Sequence, residues 1–526
     1  MSTVEIYDTI LRDGTQSEGV NISLADKLAI TRLLDWLGVA YIEGGWPGSN
    51  PKDEAYFQEV RALELEQARI AAFGSTRRAR LDAADDPNLR KLVASGADVC
   101  TIFGKTWDLH VEQALRVDLD TNLTMIRDSV AFLVAETGRP VFYDAEHFFD
   151  GYAANPAYAL DTLRAAVAGG ASRIVFCDTN GGTLPEQIAG AVAAARAACG
   201  EVALGIHVHN DGGLAVGNTL AALRHGCSQV QGTINGVGER CGNVDLCAVI
   251  ANCELKMDLR CLPSGRLSRL TEVSREVWER INMVAPVNQP FTGKAAFAHK
   301  GGIHVSAVQR NSTTYEHVSP ESVGNTRRIL ISELSGRSNV QAKLVNRYPA
   351  LSDNAIMGRV LGEVQDRENQ GYSYEAADGS FDLLVRRHVG AYEPIFELVH
   401  YRVHGLGTAG DATDLVEATV KVRVGADMRL CVAEGHGPVD ALSHALRQAL
   451  EPQYPSLAAL QLVDYKVRVV NSADGTAAHV RVLIESRHAH SRFGTVGVHE
   501  NIIEASWRAL VESMEFVVLR EQAPTA

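Results

Sequence analysis

The chain has 526 residues, 46% of them hydrophobic and 22% charged, with a formal net charge of −14. That length predicts more than one domain, the acidic balance argues against non-specific nucleic-acid binding, and no apolar run approaches the roughly 20 residues of a membrane-spanning helix. Nine dispersed cysteines with no C-x-x-C pair, and residues 1–5 with neither a basic nor an apolar export region, read as a cytoplasmic protein with reduced thiols.

Eight short apolar runs punctuate the first half, at residues 4–10, 41–45, 69–74, 99–104, 141–145, 173–177, 203–208 and 229–235. Alanine- and leucine-rich segments with helical spacing lie between them, such as 24–37 and 155–168. Ser23 precedes the first of these and Asn155-Pro156 opens the second, residues suited to helix N-termini. Alternating strand and helix implies a parallel sheet. Eight such units in about 250 residues predict a (β/α)8 TIM barrel, placed at residues 1–270.

A barrel gathers its chemistry at the C-terminal ends of its strands, and the unusual polar residues fall there. Arg12 and Asp13 follow the first run, and Glu43 lies near the end of the second. Asp144 and Glu146 end the fifth, and Asp178 and Thr179 follow the sixth. His207, His209, Asn210 and Asp211 end the seventh; Glu239, Arg240 and Asn243 follow the eighth. Side chains two apart on a strand share a side, so His207 and His209 are expected to face one point. Two neutral imidazoles with Asp13 as third ligand could bind a divalent cation. Phe73, Phe103 and Tyr143, near strand ends, are candidates for narrowing a substrate pocket, or for plain barrel filling. Arg77, Arg78, Arg80 and Lys105 could meet phosphates but read first as solvated charge.

The rhythm changes after about residue 270. Residues 271–388 read as mostly helical linker subdomains, with a helix over 267–281, a loop over 285–293 and helical stretches to 370. Residues 389–520 are strand-rich, and 521–526 form a tail. Strands at 415–424 and 428–433 precede a helix to residue 450; strands at 462–470 and 477–486 precede Gly494-Thr495-Val496-Gly497-Val498 and a helix over 501–514. Strands followed by a helix, twice, predict a pseudo-symmetric α+β unit.

Three segments carry a family resemblance: Leu11-Arg12-Asp13-Gly14-Thr15-Gln16, the stretch from Ile206 through His207-Val208-His209-Asn210-Asp211 to Asn218, and Asn235-Gly236-Val237-Gly238-Glu239-Arg240-Cys241-Gly242-Asn243. Together they resemble the 2-isopropylmalate, homocitrate and citramalate synthases, within the broader metal-dependent aldolase and lyase barrels. Ala298-His299-Lys300-Gly301-Gly302-Ile303-His304 resembles that family's linker motif. Residues 42–53, with Trp46, and residues 143–152 are similar to the citramalate branch.

The resemblance implies condensation of acetyl-CoA, as co-substrate, with a 2-oxo acid. Pyruvate would give citramalate and CoA for isoleucine biosynthesis; 2-oxoisovalerate (a 2-isopropylmalate synthase), cleavage by a lyase or aldolase, and a catalytically dead metal-dependent sensor are the alternatives. It implies a divalent ion (magnesium, manganese, zinc or cobalt) on Asp13, His207 and His209 with Asn243 close by. Arg12 would stabilise the alkoxide and bind substrate together with Glu43 and Thr179. Phe103 and Tyr143 would border the substrate, Glu146 would be an acidic partner, and His304 with Tyr315 and Glu316 would supply the base. It further implies a homodimer in which one subunit's linker covers the other's active site, and a regulatory domain at 389–520 that binds an amino-acid effector, isoleucine, with leucine as the alternative effector and a ligand-free dimerisation domain as the alternative role.

Overall fold

The computed structural model describes residues 2–330, 340, 344, 347–405, 416–470, 478–489 and 491–522. The helical stretch expected across 331–339, the strand starts expected at Leu415 and Ala477, and the end of the expected tail at 523–526 lie outside the described residues. The chain divides into two compact units, one of residues 1–297 with 318–327, the other of 298–317 with 328–526.

Eight parallel strands close the first unit into a barrel: β1 (Glu5–Asp8), β2 (Tyr41–Gly45), β3 (Arg69–Ser75), β4 (Val99–Lys105), β5 (Val141–Glu146), β6 (Arg173–Asp178), β7 (Ala203–Val208) and β8 (Gln229–Gly232). Closure runs through β1 and β8, where Glu5 to Asp8 register with Gln229 to Gly232. The helices between them are α1 (Leu24–Leu37), α2 (Pro51–Glu59), α3 (Pro87–Ser95), α4 (Leu119–Thr137), α5 (Pro156–Ala168), α6 (Pro185–Cys199) and α7 (Ala215–Arg224), and α8 (Leu246–Lys256) follows β8. Helix α1 begins and ends where its residues dictate. Ser23 and Asp26 form a reciprocal capping box, and Gly38 closes the helix with φ +100°.

Strand β1 is shorter than the apolar run that encodes it. The amides of Arg12, Asp13 and Gly14 all donate to the Thr9 carbonyl, at 3.1, 2.9 and 3.2 Å. That turn breaks the strand and lifts Arg12 and Asp13 onto the barrel mouth. The buried Asp8 carboxylate braces the turn by accepting the amides of Ile10 and Ile234, both at 2.8 Å. Burial pushes Asp8 up to about 7.

Below the mouth, the interior is filled by a buried aromatic layer of Tyr7, Tyr41 and Phe142 with Ala71 and Val99. Two residues further along β2, β4 and β5, Glu43, Thr101 and Asp144 share the inner face, as the strand period requires. Tyr143 lies on the opposite face of β5. A Cβ at Gly104 would stand 2.8 Å from its hydroxyl and 3.2 Å from Ile126 of α4, so Tyr143 is wall packing toward the helices. The expectation that it borders the substrate is corrected by this one-residue alternation.

The end of β2 is set by a buried ion pair. Lys27 of α1 donates to the Gly44 carbonyl at 3.0 Å and pairs with Asp53 of α2. Asp53 accepts the Trp46 amide at 2.9 Å. Gly45 has φ +141°, and any Cβ there would run into the Asp53 carboxylate, so the close approach requires glycine.

Helix α9 (Leu270–Arg280), preceded by a tight turn at Leu267–Arg269, follows the barrel. In the second unit, α10 (Gly302–Arg310), α11 (Asn354–Asn369) and α12 (Asp378–Val389) precede two repeats. The first is β9 (Glu397–Gly405), β10 (Val416–Val424), β11 (Asp427–Gly435) and α13 (Pro438–Leu450); the second is β12 (Gln461–Val469), β13 (Val480–His488), β14 (Ser491–His499) and α14 (Ile502–Glu521). Each sheet is an antiparallel meander, and the register shifts at Leu398/His400 in one and Leu462/Asp464 in the other, the same place in both repeats. Each repeat has three strands rather than the two expected. Gly494 and Gly497 sit inside β14, where a Cβ would strike the carbonyls of Ala376 and Ala505; close packing, not a turn, explains them.

All nine cysteines are free, and among the described residues no helix is long and apolar enough to cross a membrane. Lys27→Met should strand the buried Asp53 charge and cost about 3–5 kcal/mol. The barrel's chemical-denaturation midpoint measures this, and an unchanged midpoint would mean the pair holds nothing together.

Candidate metal centre and active site

Three ligand atoms converge at the mouth. Asp13, His207 and His209 are buried, and their donor atoms all lie within 4.8 Å of one another. His207 Nε2 stands 3.5 Å and His209 Nε2 3.9 Å from Asp13 Oδ2, and the two Nε2 atoms are 3.3 Å apart. Strand β7 ends here with His207 and His209 on one side, and the β1 turn delivers Asp13 opposite them.

Supporting contacts orient each group. The Gln231 side-chain oxygen lies 3.2 Å from His207 Nδ1. An amide oxygen only accepts, so Nδ1 carries the proton and Nε2 keeps its lone pair for a cation. Gln231 in turn donates to Asp144 Oδ1 at 3.1 Å. The polar alternation Gln229-x-Gln231 within β8 is the sequence signal for this support, though it forms no motif. Burial and then the neighbouring His207 lower the His209 imidazole to about 4, so it is neutral. Burial lowers His207 as well, but Asp13, and then Asp144, lift it above the ordinary histidine value. Burial would raise Asp13, yet Arg12 and then His207 hold it well below the usual carboxylate range. Burial, and then the neighbouring Glu43, push Asp144 up to about 7.

Asp13 Oδ1, His209 Nδ1 and both polar side-chain atoms of Asn243 are buried with no hydrogen-bond partner. Asn243 is tied to His209 by an isolated antiparallel bridge. Buried polar atoms are normally satisfied. An oxygen-rich cluster with two imidazole donors and orphaned oxygens fits a divalent ion.

Arg12 lies beside this cluster. It donates to Glu43 and, at 3.1 Å, to Asp13 Oδ2. Its guanidinium sits 3.8 Å over the Phe73 ring. Phe73 stacks on Phe103 at 5.5 Å, and Trp46 meets both edge-on at 5.9 Å. Trp46 Nε1 donates to Asn88 Oδ1 at 2.6 Å, which locks the indole. Glu43 is fully buried and accepts from Tyr7 at 2.7 Å, Thr9 at 2.8 Å and Arg12. Its expected contact with substrate gives way to a place beneath Arg12, because its oxygens are already occupied by three donors.

The remaining expected residues divide between the units. Thr179 stands at the mouth, where its Oγ1 accepts the His147 amide at 2.9 Å and its carbonyl accepts Arg240 at 2.8 Å. Glu146 pairs with Lys105, whose ammonium lies 5.6 Å over Phe103; Lys105 is a mouth residue rather than a solvated one. Arg77 is buried on the carbonyls of Arg78, Ala79 and Leu81 and beside Asp128. It is an internal brace, while Arg78 and Arg80 are exposed. His304 and Tyr315 belong to the second unit, their rings 4.3 Å apart. His299 lies 3.0 Å from Glu316 there.

A family described as HMGL-like matches residues 3–277, the post-HMGL domain of homocitrate synthases matches 291–367, and the LeuA allosteric (dimerisation) domain matches 375–518. Three curated relatives bear the name (R)-citramalate synthase. That of Geobacter sulfurreducens is 50% identical over 98% of both chains. That of Synechocystis sp. is 50% identical over 97% of this chain and 95% of its own. That of Aquifex aeolicus is 46% identical over 99% and 98%. The chain belongs to the HMGL-like family and, within it, to the group of the (R)-citramalate synthases.

The Gln231 contact generates a sharp expectation. Gln231→Leu removes the acceptor that fixes the His207 tautomer, and divalent-ion affinity should fall about 10–100-fold with the fold intact. Calorimetric titration with manganese checks it; wild-type affinity would show that His207 needs no such support.

Proposed function

We propose that the protein condenses acetyl-CoA with pyruvate and releases citramalate and CoA, in the service of isoleucine biosynthesis. The observation that carries this reading is the convergence of Asp13, His207 and His209 on one point beside a fixed guanidinium. Those three residues would hold the divalent ion, with Asn243 next to it. Magnesium, manganese, zinc and cobalt all suit two imidazoles, a carboxylate and added oxygens. When bound, the ion supplies Lewis-acid polarisation of the keto group.

The protein side chains do the rest. Arg12 cannot lose its proton in ordinary conditions and donates to the alkoxide that grows as the new carbon–carbon bond forms. Glu43 is a positioning residue that holds Arg12 from beneath. The Thr179 hydroxyl accepts the His147 amide and keeps its own proton to donate to the substrate carboxylate. The aromatic wall of Trp46, Phe73 and Phe103 limits the 2-oxo acid side chain to a methyl group. Glu146 is the acidic partner at the end of β5. His304, paired with Tyr315, takes the methyl proton of acetyl-CoA.

The working form is a homodimer in which the linker of one subunit reaches the barrel mouth of the other. Supporting this, both C-terminal sheets expose apolar side chains, Leu398, Met428 and Leu430 on one and Leu462, Val467 and Val469 on the other. Patches of this kind mark interaction surfaces. The effector of the C-terminal domain is isoleucine, with leucine as the control.

Thiol release from acetyl-CoA should require both pyruvate and a divalent ion, and chelator should abolish it. No release with any 2-oxo acid and any of the four metals would refute the reading; faster turnover of 2-oxoisovalerate than of pyruvate would reassign it to 2-isopropylmalate synthesis. Arg12→Ala should lower kcat about 10²–10³-fold with the circular-dichroism spectrum unchanged, and near-normal turnover would remove its assigned role. Phe103→Ala should raise kcat/KM for 2-oxobutyrate relative to pyruvate by about tenfold, within the range one methylene commands. An unchanged ratio would place the size limit elsewhere.

A further inference from the structure

A second imidazole–carboxylate pair stands at the barrel mouth, one residue beyond Glu146. His147 Nδ1 lies 3.0 Å from Asp150 Oδ2. Since an ionised carboxylate only accepts, Nδ1 holds the proton and Nε2 is the basic nitrogen; Nε2 has no hydrogen-bond partner among the described residues. Asn180 Nδ2 donates to the same Asp150 oxygen at 3.0 Å. Burial would raise Asp150, but the hydrogen bonds from His147 and Asn180 outweigh it and keep its carboxyl below the ordinary value. Asn180, Asp150 and His147 thus form an orienting chain that ends in a base.

The ring is held on its other sides too. It packs edge-on against His110 at 4.3 Å and tilts against Trp107 at 5.8 Å, while His110 stacks on Trp107 at 5.1 Å. The His147 side chain is 10% exposed. Its backbone adopts φ +56°, a left-handed conformation uncommon outside glycine. Two hydrogen bonds from backbone amides connect this pair to the candidate metal centre: the His147 amide donates to Thr179 Oγ1 at 2.9 Å, and the His209 amide donates to the carbonyl of the adjacent Asp178 at 3.2 Å.

Condensation leaves the new carbon skeleton as a CoA thioester. Citramalate appears only when water cleaves that thioester, and this acyl chemistry needs a base of its own. We infer, resting on the condensation reading above, that His147 is the general base for thioester hydrolysis and that Asp150 is its positioning residue. Water's oxygen bonds to the thioester carbonyl carbon as its proton passes to His147 Nε2. The tetrahedral adduct collapses, the C–S bond breaks with its electron pair going to sulfur, and the His147 imidazolium returns the proton to the thiolate. One water is consumed, and a carboxylic acid and the CoA thiol are released.

The test uses the full-length enzyme with its divalent ion. Glycine accepts the left-handed backbone at this position, so His147→Gly removes the ring while keeping the turn. Hydrolysis of supplied citramalyl-CoA should fall about 10²-fold relative to the condensation rate. Citramalyl-CoA should then build up from acetyl-CoA and pyruvate, and added imidazole should restore part of the hydrolysis. Asp150→Asn should slow hydrolysis relative to condensation without imidazole rescue, and it carries the test if the glycine variant does not fold. Hydrolysis at the wild-type ratio in both variants, or equal losses of condensation and hydrolysis that imidazole does not restore, would overturn the inference. A wild type that condenses normally while both variants hydrolyse at the wild-type ratio defeats only this inference; a wild type that neither condenses nor hydrolyses defeats the condensation reading with it.

Discussion

A buried carboxylate must be compensated, and the barrel mouth is built around that requirement. Asp13 is 3% exposed and one of its oxygens has no partner. Arg12 meets it with one positive charge, but Arg12 also answers Glu43. One guanidinium answers two carboxylates, His209 contributes no charge because burial and His207 keep it neutral, and Asp13 draws His207 toward its protonated form. A divalent ion would supply positive charge in place of that proton, and a 2-oxo acid anion would offset the ion in turn. Electrostatic balance therefore links metal and substrate: the cluster suits the two together better than either alone.

The fold turns that balance into fixed geometry. The Thr9 carbonyl gathers three amides and so sets the height of Arg12 and Asp13. Gln231 sets the His207 tautomer from β8. The Lys27–Asp53 pair anchors the Trp46 amide, and through Trp46 the aromatic wall over which Arg12 lies. Helices α1 and α2 thus brace the aromatic wall that carries Arg12. The C-terminal unit uses a different economy, two copies of a three-strand meander with one helix each, with the same register shift in both.

Much of this was legible in the chain. Alternation of apolar runs and helices gave the barrel, and period-two placement of His207 and His209 anticipated their convergence with Asp13. The misses have physical causes. Tyr143 was misread because an aromatic near a strand end says nothing of which face it occupies; its neighbours Phe142 and Asp144 point inward, so it cannot. Glu43 looked like a substrate ligand because sequence does not reveal that Tyr7, Thr9 and Arg12 consume its oxygens. The third strand of the second repeat was not read from Gly494 and Gly497, since glycine is a poor strand former and sequence does not reveal the neighbouring carbonyls that require it there. Gln231 was readable, with Gln229, as one of two alternating polar residues of β8, but the pair supplies no motif.

The most direct measurement is pulsed electron paramagnetic resonance of the manganese-loaded enzyme, grown with 15N-labelled histidine. Two imidazole nitrogen couplings should appear in the wild type, and one should vanish in each of His207→Gln and His209→Gln. A manganese ion bound with no histidine coupling would contradict the account, for it would place the cation away from the carboxylate and imidazoles on which the mechanism rests.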